Sequence, residues 1–373
     1  MKEIFIEPND VLIFRDGRAF SAGDDHLASG VFPPSPSSFY GAFRSALLSQ
    51  HGARLDGRSF EVAEKIQAIV GSPDAFGSLM IQHFSLARKR NDGIELLFHL
   101  PSDVVVVEGD SKREFKRLYP TSFDSLVNAN FPIDALQLLW DKHSETDRLE
   151  FERLYVTHQE FQQYLHGKVP EPTLSEEELF KIENRTGIAI ETQRKAVETG
   201  KLYAVEFVRM NRDVGFAVRL NINSELTDTG LLRLGGEAKS AYYFTSRLPL
   251  LSGESIKERV AMQKTFRLVL ITPAVFDNGW LPDGLDADGR GKFGNCTVQL
   301  TAAAISRYVI VGGWDIIKGK PKQAWRAVPP GSVYFFKLLD GDVNSLFESA
   351  FGKSICQTET WKKQGLGITY IGG

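Results

Sequence analysis

Two rhythms of apolar and polar residues run along this chain and mark out its elements. Residues 2–7 alternate, with Ile4 and Ile6 set against Glu3 and Phe5, and residues 11–14 resume the pattern after a Pro8-Asn9-Asp10 turn signal. Residues 15–36 form a 22-residue stretch rich in Gly, Ser, Asp and Pro. Loops of that length are functional or disordered rather than simple connectors. Ser35 as N-cap and Pro36 at the first helical position then open a helix, with Phe39, Phe43, Ala46 and Leu47 recurring at helical spacing.

The pattern changes between residues 103 and 202. After a strand-like run at 104–107, residues 135–140, 149–154 and 160–165 read as short amphipathic helices, closed by Pro170 and Pro172. This predicts an acidic, helical insertion at about 108–200. Strands resume at 202–210 and 215–222, then near 231–234 and 241–245, with β-branched and aromatic alternation. A second block follows, with strands predicted at 266–271, 297–300, 308–311, 323–326, 333–338 and 368–371 and a helix at 343–351.

Strands outnumber helices and most connections are hairpin-like, which predicts the α+β class with antiparallel sheets. Strand–helix–strand followed by hairpins, twice over, suits two ferredoxin-like (βαββαβ) units. The first would span residues 1–258 with its insertion, the second 259–373 with a glycine-rich C-terminal loop. The length of 373 residues agrees with two domains, and 42% apolar residues is far above a disordered composition.

Charge is nearly balanced overall at −3, which argues against a freestanding duplex-DNA binder. Its distribution changes the picture. Residues 141–178 hold ten acids and four bases, a net of −6, so the remainder sums to +3. Basic clusters stand at Arg88-Lys89-Arg90, from Lys112 to Arg117, and at Lys318, Lys320, Lys322 and Arg326. Each alone reads as a solvated loop. Together they point to an anionic partner held in a groove.

Cys296 and Cys356 stand 60 positions apart, so no thiolate-rich zinc site forms, and two isolated thiols suggest a reducing compartment. The first residues lack a secretory h-region and no stretch of 18 apolar residues occurs, so the expected location is the cytoplasm, with no membrane contact. None of the seven histidines falls into a metal-ligand spacing, and neither a metal nor another cofactor is expected. The G-x-G-x-x-G match at Gly289, Gly291 and Gly294 lacks a preceding strand and a following helix. The calcium-loop start at Asp286 and Asp288 has Thr297 where a glutamate is required. His26 beside Asp24 and Asp25 is the one candidate base for RNA cleavage, with Tyr40 or a lysine as partner, set against the plainer reading of an exposed loop histidine.

Glycines beside basic and aromatic residues are the remaining signal. Arg15, Gly17 and Arg18 follow a strand, and Gly235-Gly236 precedes Lys239, Tyr242 and Tyr243. Gly312-Gly313-Trp314 leads into the last basic cluster, and Gly365 and Gly367 lie near the end. Glycines let backbone amides approach phosphates, while arginines and rings grip and stack on RNA. The alternative is ordinary hairpin turns.

FRDGRAF at 14–20 and FPPSPSSFYGAFRSALL at 32–48 resemble the N-terminal signature of the RAMP-type Cmr subunit of type III-B CRISPR complexes. Further resemblance lies in ENRTGIAIET at 183–192, LYAVEFVR at 202–209, LGGE at 234–237, TPAVFDNGW at 272–280, VGGWDIIKGKPKQAWRAVPPGSVYFF at 311–336 and the closing QGLG. Ala19 and Ser38 stand where the family pattern has proline and threonine. The resemblance implies two RRM-like ferredoxin folds and a non-catalytic subunit that holds the crRNA 5′ handle. It also implies docking to the large polymerase-like subunit and a backbone RAMP subunit, with no direct DNA contact. In that setting the helix from Pro36 would aim its amides, with the Ser37 and Ser38 hydroxyls, at a phosphate. Tyr40 and Arg44 would share a face, Arg185 and Thr186 would sit in a second glycine-bearing turn, and the residues from Lys318 to Arg326 would follow a nucleic-acid backbone. The alternatives are a metal-independent endoribonuclease using His26 and a protein-only scaffold.

Overall fold

The structure, a computed structural model, describes residues 1–15, 27–28, 30–55, 60–72, 74–108, 113–122, 132–141, 148–150, 153–171, 174–191, 196–237, 239–315 and 319–373. Two antiparallel sheets dominate it. The eight-stranded sheet runs Leu174–Ser175, Leu154–Thr157, Gly93–His99, Ile81–Arg90, Val214–Leu220, Lys2–Pro8, Ser240–Thr245 and Thr229–Arg233 from edge to edge. The six-stranded sheet runs Arg290–Phe293, Cys296–Ala304, Val333–Asp340, Thr265–Leu270, Ile368–Gly372 and Lys353–Ser354. Seven helices lie among the described residues: α1 (Pro36–Gln50), α2 (Glu64–Val70), α3 (His158–Leu165), α4 (Glu176–Leu179), α5 (Glu254–Gln263), α6 (Val343–Ala350) and α7 (Glu359–Lys363).

The first strand shows how the layers are arranged. Ile4, Phe5 and Ile6 are all fully buried, so this strand is covered on both faces rather than half-exposed. Successive side chains point to opposite faces. Ile4 and Ile6 join a core with Phe39, Phe43 and Leu47 of α1 and Ile66 and Val70 of α2. Phe5 joins a second core with Phe266, Leu268 and Tyr370 of the six-stranded sheet. The large sheet is therefore the middle layer, with helices on one face and the second sheet's core on the other.

A common order underlies both sheets. The strands Ile81–Arg90, Val214–Leu220, Lys2–Pro8 and Ser240–Thr245 lie side by side, which in chain order is second, third, first, fourth. The strands Cys296–Ala304, Val333–Asp340, Thr265–Leu270 and Ile368–Gly372 repeat that order. In the first set α1 lies between strands one and two, and in the second set α6 lies between strands three and four.

Helix α1 begins where its sequence predicts. Ser35 has extended backbone angles and its side chain accepts from the Ser37 amide, with Pro36 in the first turn. The insertion differs from its expectation. Leu138–Trp140 is a strand paired with Tyr119–Thr121, and Arg148–Glu150 is a strand paired with Val104–Glu108. Both had read as helices, because a short apolar run has no periodicity of its own and takes the form that a neighbouring strand supplies. Residues 160–165 do form helix, inside α3, where Thr157 caps by accepting from the Glu160 amide at 3.3 Å.

One buried polar cluster joins the layers. Asp103, wholly buried, accepts from the Tyr164 hydroxyl at 2.6 Å and lies 3.5 Å from Arg117 and 3.6 Å from Arg267 of the second sheet. Burial pushes its carboxyl up, opposed by Arg267, the Tyr164 hydrogen bond and Arg117. Arg267 also lies over the Tyr164 ring, 4.6 Å from its centre. Such a charge set is costly to break once buried.

Candidate nucleic-acid interface

The strands Phe180–Glu191 and Ala196–Met210 form a long hairpin in which Arg185 stands opposite Val205 and Glu183 opposite Phe207. The chain after the first strand runs against it: Leu12 and Val208 exchange both backbone hydrogen bonds, each at 2.8 Å. Alternation then splits this segment. Leu12 and Phe14 enter the core beneath α1, while Val11 and Ile13 pack on Val205 and Phe207.

The Gly235-Gly236 turn closes onto the same place. The Gly236 amide donates to the Ile13 carbonyl at 2.8 Å. Gly235 has φ +80°, and a Cβ there would lie 2.3 Å from the Ile13 carbonyl oxygen, so only glycine fits. The turn returns the chain to Lys239, whose ammonium lies 5.1 Å from the Phe207 ring centre. The Arg185 guanidinium lies 5.0 Å from the same centre. Two cations therefore gather at one ring.

Glu183 organises the arginines. It accepts from Arg185 at 3.1 Å and from Arg209, and Arg209 also reaches Asp10 at 3.2 Å. The bonds from Arg209 and then Arg185 bring its carboxyl down to about 2. Arg185 and Arg209 keep 43% and 45% of their side chains exposed, so a polyanion can reach both. Arg15 lies three residues beyond Leu12, exposed, with its backbone bridged to Gly30. The structure thus assembles Arg185, Gly235, Gly236 and Lys239 about Phe207, with Arg15 on the segment packed there. Thr186 is on the same hairpin, exposed, and alternates to the other face. Arg209 and Phe207 were not singled out from the sequence, although both lie within the LYAVEFVR run.

The residues of α1 are engaged differently. The Ser37 hydroxyl donates to the Ser35 hydroxyl at 2.9 Å, and the Ser37 amide reaches that same oxygen at 3.4 Å. The Ser38 amide donates to the Ser35 carbonyl at 3.1 Å. The capping serine thus takes up the Ser37 hydroxyl and the Ser37 and Ser38 amides, donors that were expected to meet a phosphate. Arg44 donates to the carbonyls of Val70, at 2.6 Å, and Ser72, tying α1 to the end of α2. Tyr40 does share the Arg44 face, since both meet the Phe76 ring. It is 3% exposed, and burial pushes its phenol up to about 12. Gly17, Arg18, His26 and Lys318 lie outside the described residues.

Of the basic clusters, the first is paired with acids, as Arg185 and Arg209 are with Glu183, although Lys89 and Arg90 keep 41% and 47% of their side chains exposed. Arg88 bonds Glu95 at 2.7 Å, Lys89 pairs with Glu7 and Asp213, and Arg90 pairs with Glu95. Arg117 belongs to the Asp103 cluster. The third remains at the surface, on a hairpin whose strands Val309–Val311 and Trp325–Ala327 pair below the shorter pair Trp314–Asp315 and Lys320–Pro321. Lys320, Lys322 and Arg326 are exposed there. Burial by the surrounding protein lowers the Lys322 pKa, Asp315 opposes this and Arg44 adds to it. Gly365 and Gly367 are buried: a Cβ would meet Ile81 at 2.7 Å and Cys356 at 2.5 Å, respectively. Gly365 packs against the first sheet and Gly367 against its own unit at Cys356 and Ser354, and neither lines a surface. Among the described residues no cluster of His, Cys, Asp and Glu could hold a metal, and no helix is long and apolar enough to cross a membrane.

The model of the family described as CRISPR-associated protein (Cas_Cmr3) matches residues 4–373. Among solved structures, the chain is similar to one in a type III-B Cmr-beta complex bound to cognate target RNA. That pair shares 13% identity, with a TM-score of 0.47 and coverage of 90% of this chain and 86% of the other. A chain in the apo state of Cmr-beta is 18% identical at a TM-score of 0.31, covering 65% of this chain and 96% of that one. Comparison with curated protein sequences gives no match.

Proposed function

The chain belongs to the Cas_Cmr3 family of CRISPR-associated proteins, and as such a type III-B effector subunit we propose that it binds the 5′ handle of crRNA and docks the large polymerase-like subunit. The observation that carries this is the convergence of Arg185 and Lys239 on Phe207, beside the Gly235-Gly236 turn. Phe207 is buried, so its ring positions the two cations, and cations beside a close-packed glycine turn suit the phosphates of a short stretch of RNA. The backbone RAMP subunit would take the neighbouring surface, with no direct DNA contact. The binding role asks for no chemistry from the chain. The alternative pairing of His26 with Tyr40 would need a phenol that gives up its proton readily, and burial of Tyr40 works against that.

The repeated strand order supports reading both units as ferredoxin-like, each with one of its two crossover helices kept. The first sheet ends at Thr245 and the second begins at Thr265, which supports a boundary between them. Residue 258 itself lies within α5, whose Ile256 and Val260 join the second sheet's core, so the boundary fits better ahead of α5.

The test is binding of labelled handle RNA by the full chain across a salt series. Arg185→Ala with Lys239→Ala is expected to weaken binding ten-fold or more. It should also flatten the slope of log K against log salt by about 1.4, at about 0.7 per lost phosphate contact. Unchanged affinity with an unchanged slope would favour the protein-only scaffold.

A further inference from the structure

Each large sheet has two edges, and an unpaired edge is a template for another strand unless something blunts it. Three of the four are blunted. Leu174–Ser175 is two residues long and runs into Glu176, Glu177 and Glu178, and Lys353–Ser354 is equally short. Arg290–Phe293 carries Arg290 and Lys292, both exposed. The fourth edge, Thr229–Arg233, is five residues long and has its one charge at its end. Among the described residues no strand pairs with its outer side.

The pairing shows which groups this edge presents. The Thr245 amide donates to the Asp228 carbonyl and the Leu234 amide to the Lys239 carbonyl, both at 2.8 Å. In the register that sets Leu231 opposite Tyr242, alternation then turns the backbone groups of Gly230 and Leu232 inward, toward Ser240–Thr245. Those of Leu231 and Arg233 face outward, and among the described residues no backbone group bonds to them. The Thr229 carbonyl is taken by the Thr227 hydroxyl at 2.7 Å, so the open groups centre on Leu231.

The side chains make the same edge apolar. Leu231 is 64% exposed and Tyr242 39%, on the face away from α1, since Leu232 is the neighbour buried in the core beneath that helix. This face continues the contact between the two sheets. The Tyr242 ring centre lies 6.1 Å from that of Phe244, and Phe244 lies 5.5 Å from Phe5, which packs on the second sheet's core. Arg233 stands exposed at the end of the row.

We propose that this edge is a docking site, at which an extended segment of a neighbouring protein subunit adds a ninth strand to the large sheet. Main-chain bonds to Leu231 and Arg233 supply the pairing. An apolar side chain of the added segment lies on Leu231 and Tyr242, and an acidic one meets Arg233. RNA suits the edge poorly, because its phosphates find one cation here and its bases meet no row of basic groups. The proposal rests on the reading of this chain as an effector-complex subunit. It gives the docking role a contact made of residues other than those of the Phe207 cluster.

The experiment follows amide hydrogen exchange at single-residue resolution in the full-length chain, in the chain with handle RNA, and in the assembled effector complex. The Leu231 and Arg233 amides are expected to exchange freely in the first two samples and to slow about ten-fold or more in the complex. The Gly230 and Leu232 amides, already bonded to the next strand, should stay slow in all three. Leu231→Pro removes an outward donor and spares the inward bonds, so it should weaken incorporation into the complex about ten-fold or more. Leu231→Ile keeps the donor and the apolar surface and should incorporate normally. Slow Leu232 exchange in the proline variant checks that its sheet is intact. Four results would overturn the proposal: slow Leu231 and Arg233 amides in the chain alone, protection by handle RNA alone, no added protection in the complex, or normal incorporation of an intact proline variant. Handle binding is scored in the same samples. Handle bound with the edge unprotected removes the docking edge alone, and a protected edge with no handle on this chain removes the handle assignment alone.

Discussion

His83 shows how far a single residue's surroundings reach. It is 1% exposed on a central strand, with a ring nitrogen 3.1 Å from the Ser85 hydroxyl and Phe98 edge-on beside it. Burial, reinforced by Arg219, brings its pKa down from 6.5 to about 3. The folded chain therefore keeps it neutral at pH values where the unfolded chain binds a proton. The stability linked to His83 is complete above about pH 6.5 and is lost as pH falls toward 3. His99, brought down to about 4 by burial and Arg153, acts with the same sign. Urea unfolding at pH 7 and pH 5 should show a loss of up to about 2 kcal/mol from His83. His83→Gln should shrink that loss, and the same pH dependence in both proteins would contradict the assignment. From the sequence His83 was one histidine among seven outside any ligand spacing. Nothing in its neighbours in sequence announces a core position, because its burial comes from strands far along the chain.

At the scale of elements, local chemistry and distant contacts divide the outcome. Helix α1 was legible because its start is written in adjacent residues, Ser35 and Pro36, and its apolar face recurs at helical spacing. What lay beyond local reading was the use of its polar residues. Ser37, Arg44 and the Ser38 amide look available in sequence, yet Ser35 and the end of α2 claim them. The strands Leu138–Trp140 and Arg148–Glu150 were read as helices because their partners lie elsewhere in the chain. The Gly235-Gly236 turn is the reverse case, a feature whose role is fixed by one close approach. Gly235→Ala would place a Cβ against the Ile13 carbonyl in a left-handed conformation. It should cost about 1–3 kcal/mol in urea unfolding and weaken RNA binding by shifting Lys239 from Phe207. Gly236→Ala, whose Cβ would meet the Ile13 methyl at 3.2 Å and the Ile13 carbonyl oxygen at an ordinary 3.8 Å, should cost less. Equal effects of the two would count against the turn's proposed part in the interface.

For the whole molecule, the near-neutral charge of −3 conceals a division of labour. Arg88 and Arg117 are largely buried in internal ion pairs, while Lys89 and Arg90 pair with acids at the surface. Further exposed cations gather at the Phe207 cluster and along the hairpin of Trp314 and Trp325. The α+β class and the antiparallel sheets followed from alternation and hairpin spacing. The middle-layer position of the large sheet did not, since it depends on Ile4 and Phe5 facing different cores. The cationic clusters were visible as composition, but their partners were not: Arg88 and Arg90 meet Glu95 across a hairpin, and Lys89 meets Glu7 and Asp213 from distant strands. The central claim, that this subunit holds the crRNA 5′ handle, is tested most directly by photocrosslinking handle RNA within the assembled complex and mapping the crosslinked peptides. The account predicts crosslinks on this chain in residues 180–191, 196–210 and 233–245, lost when Arg185 and Lys239 are replaced. Handle crosslinks confined to other subunits, with none on this chain, would contradict it.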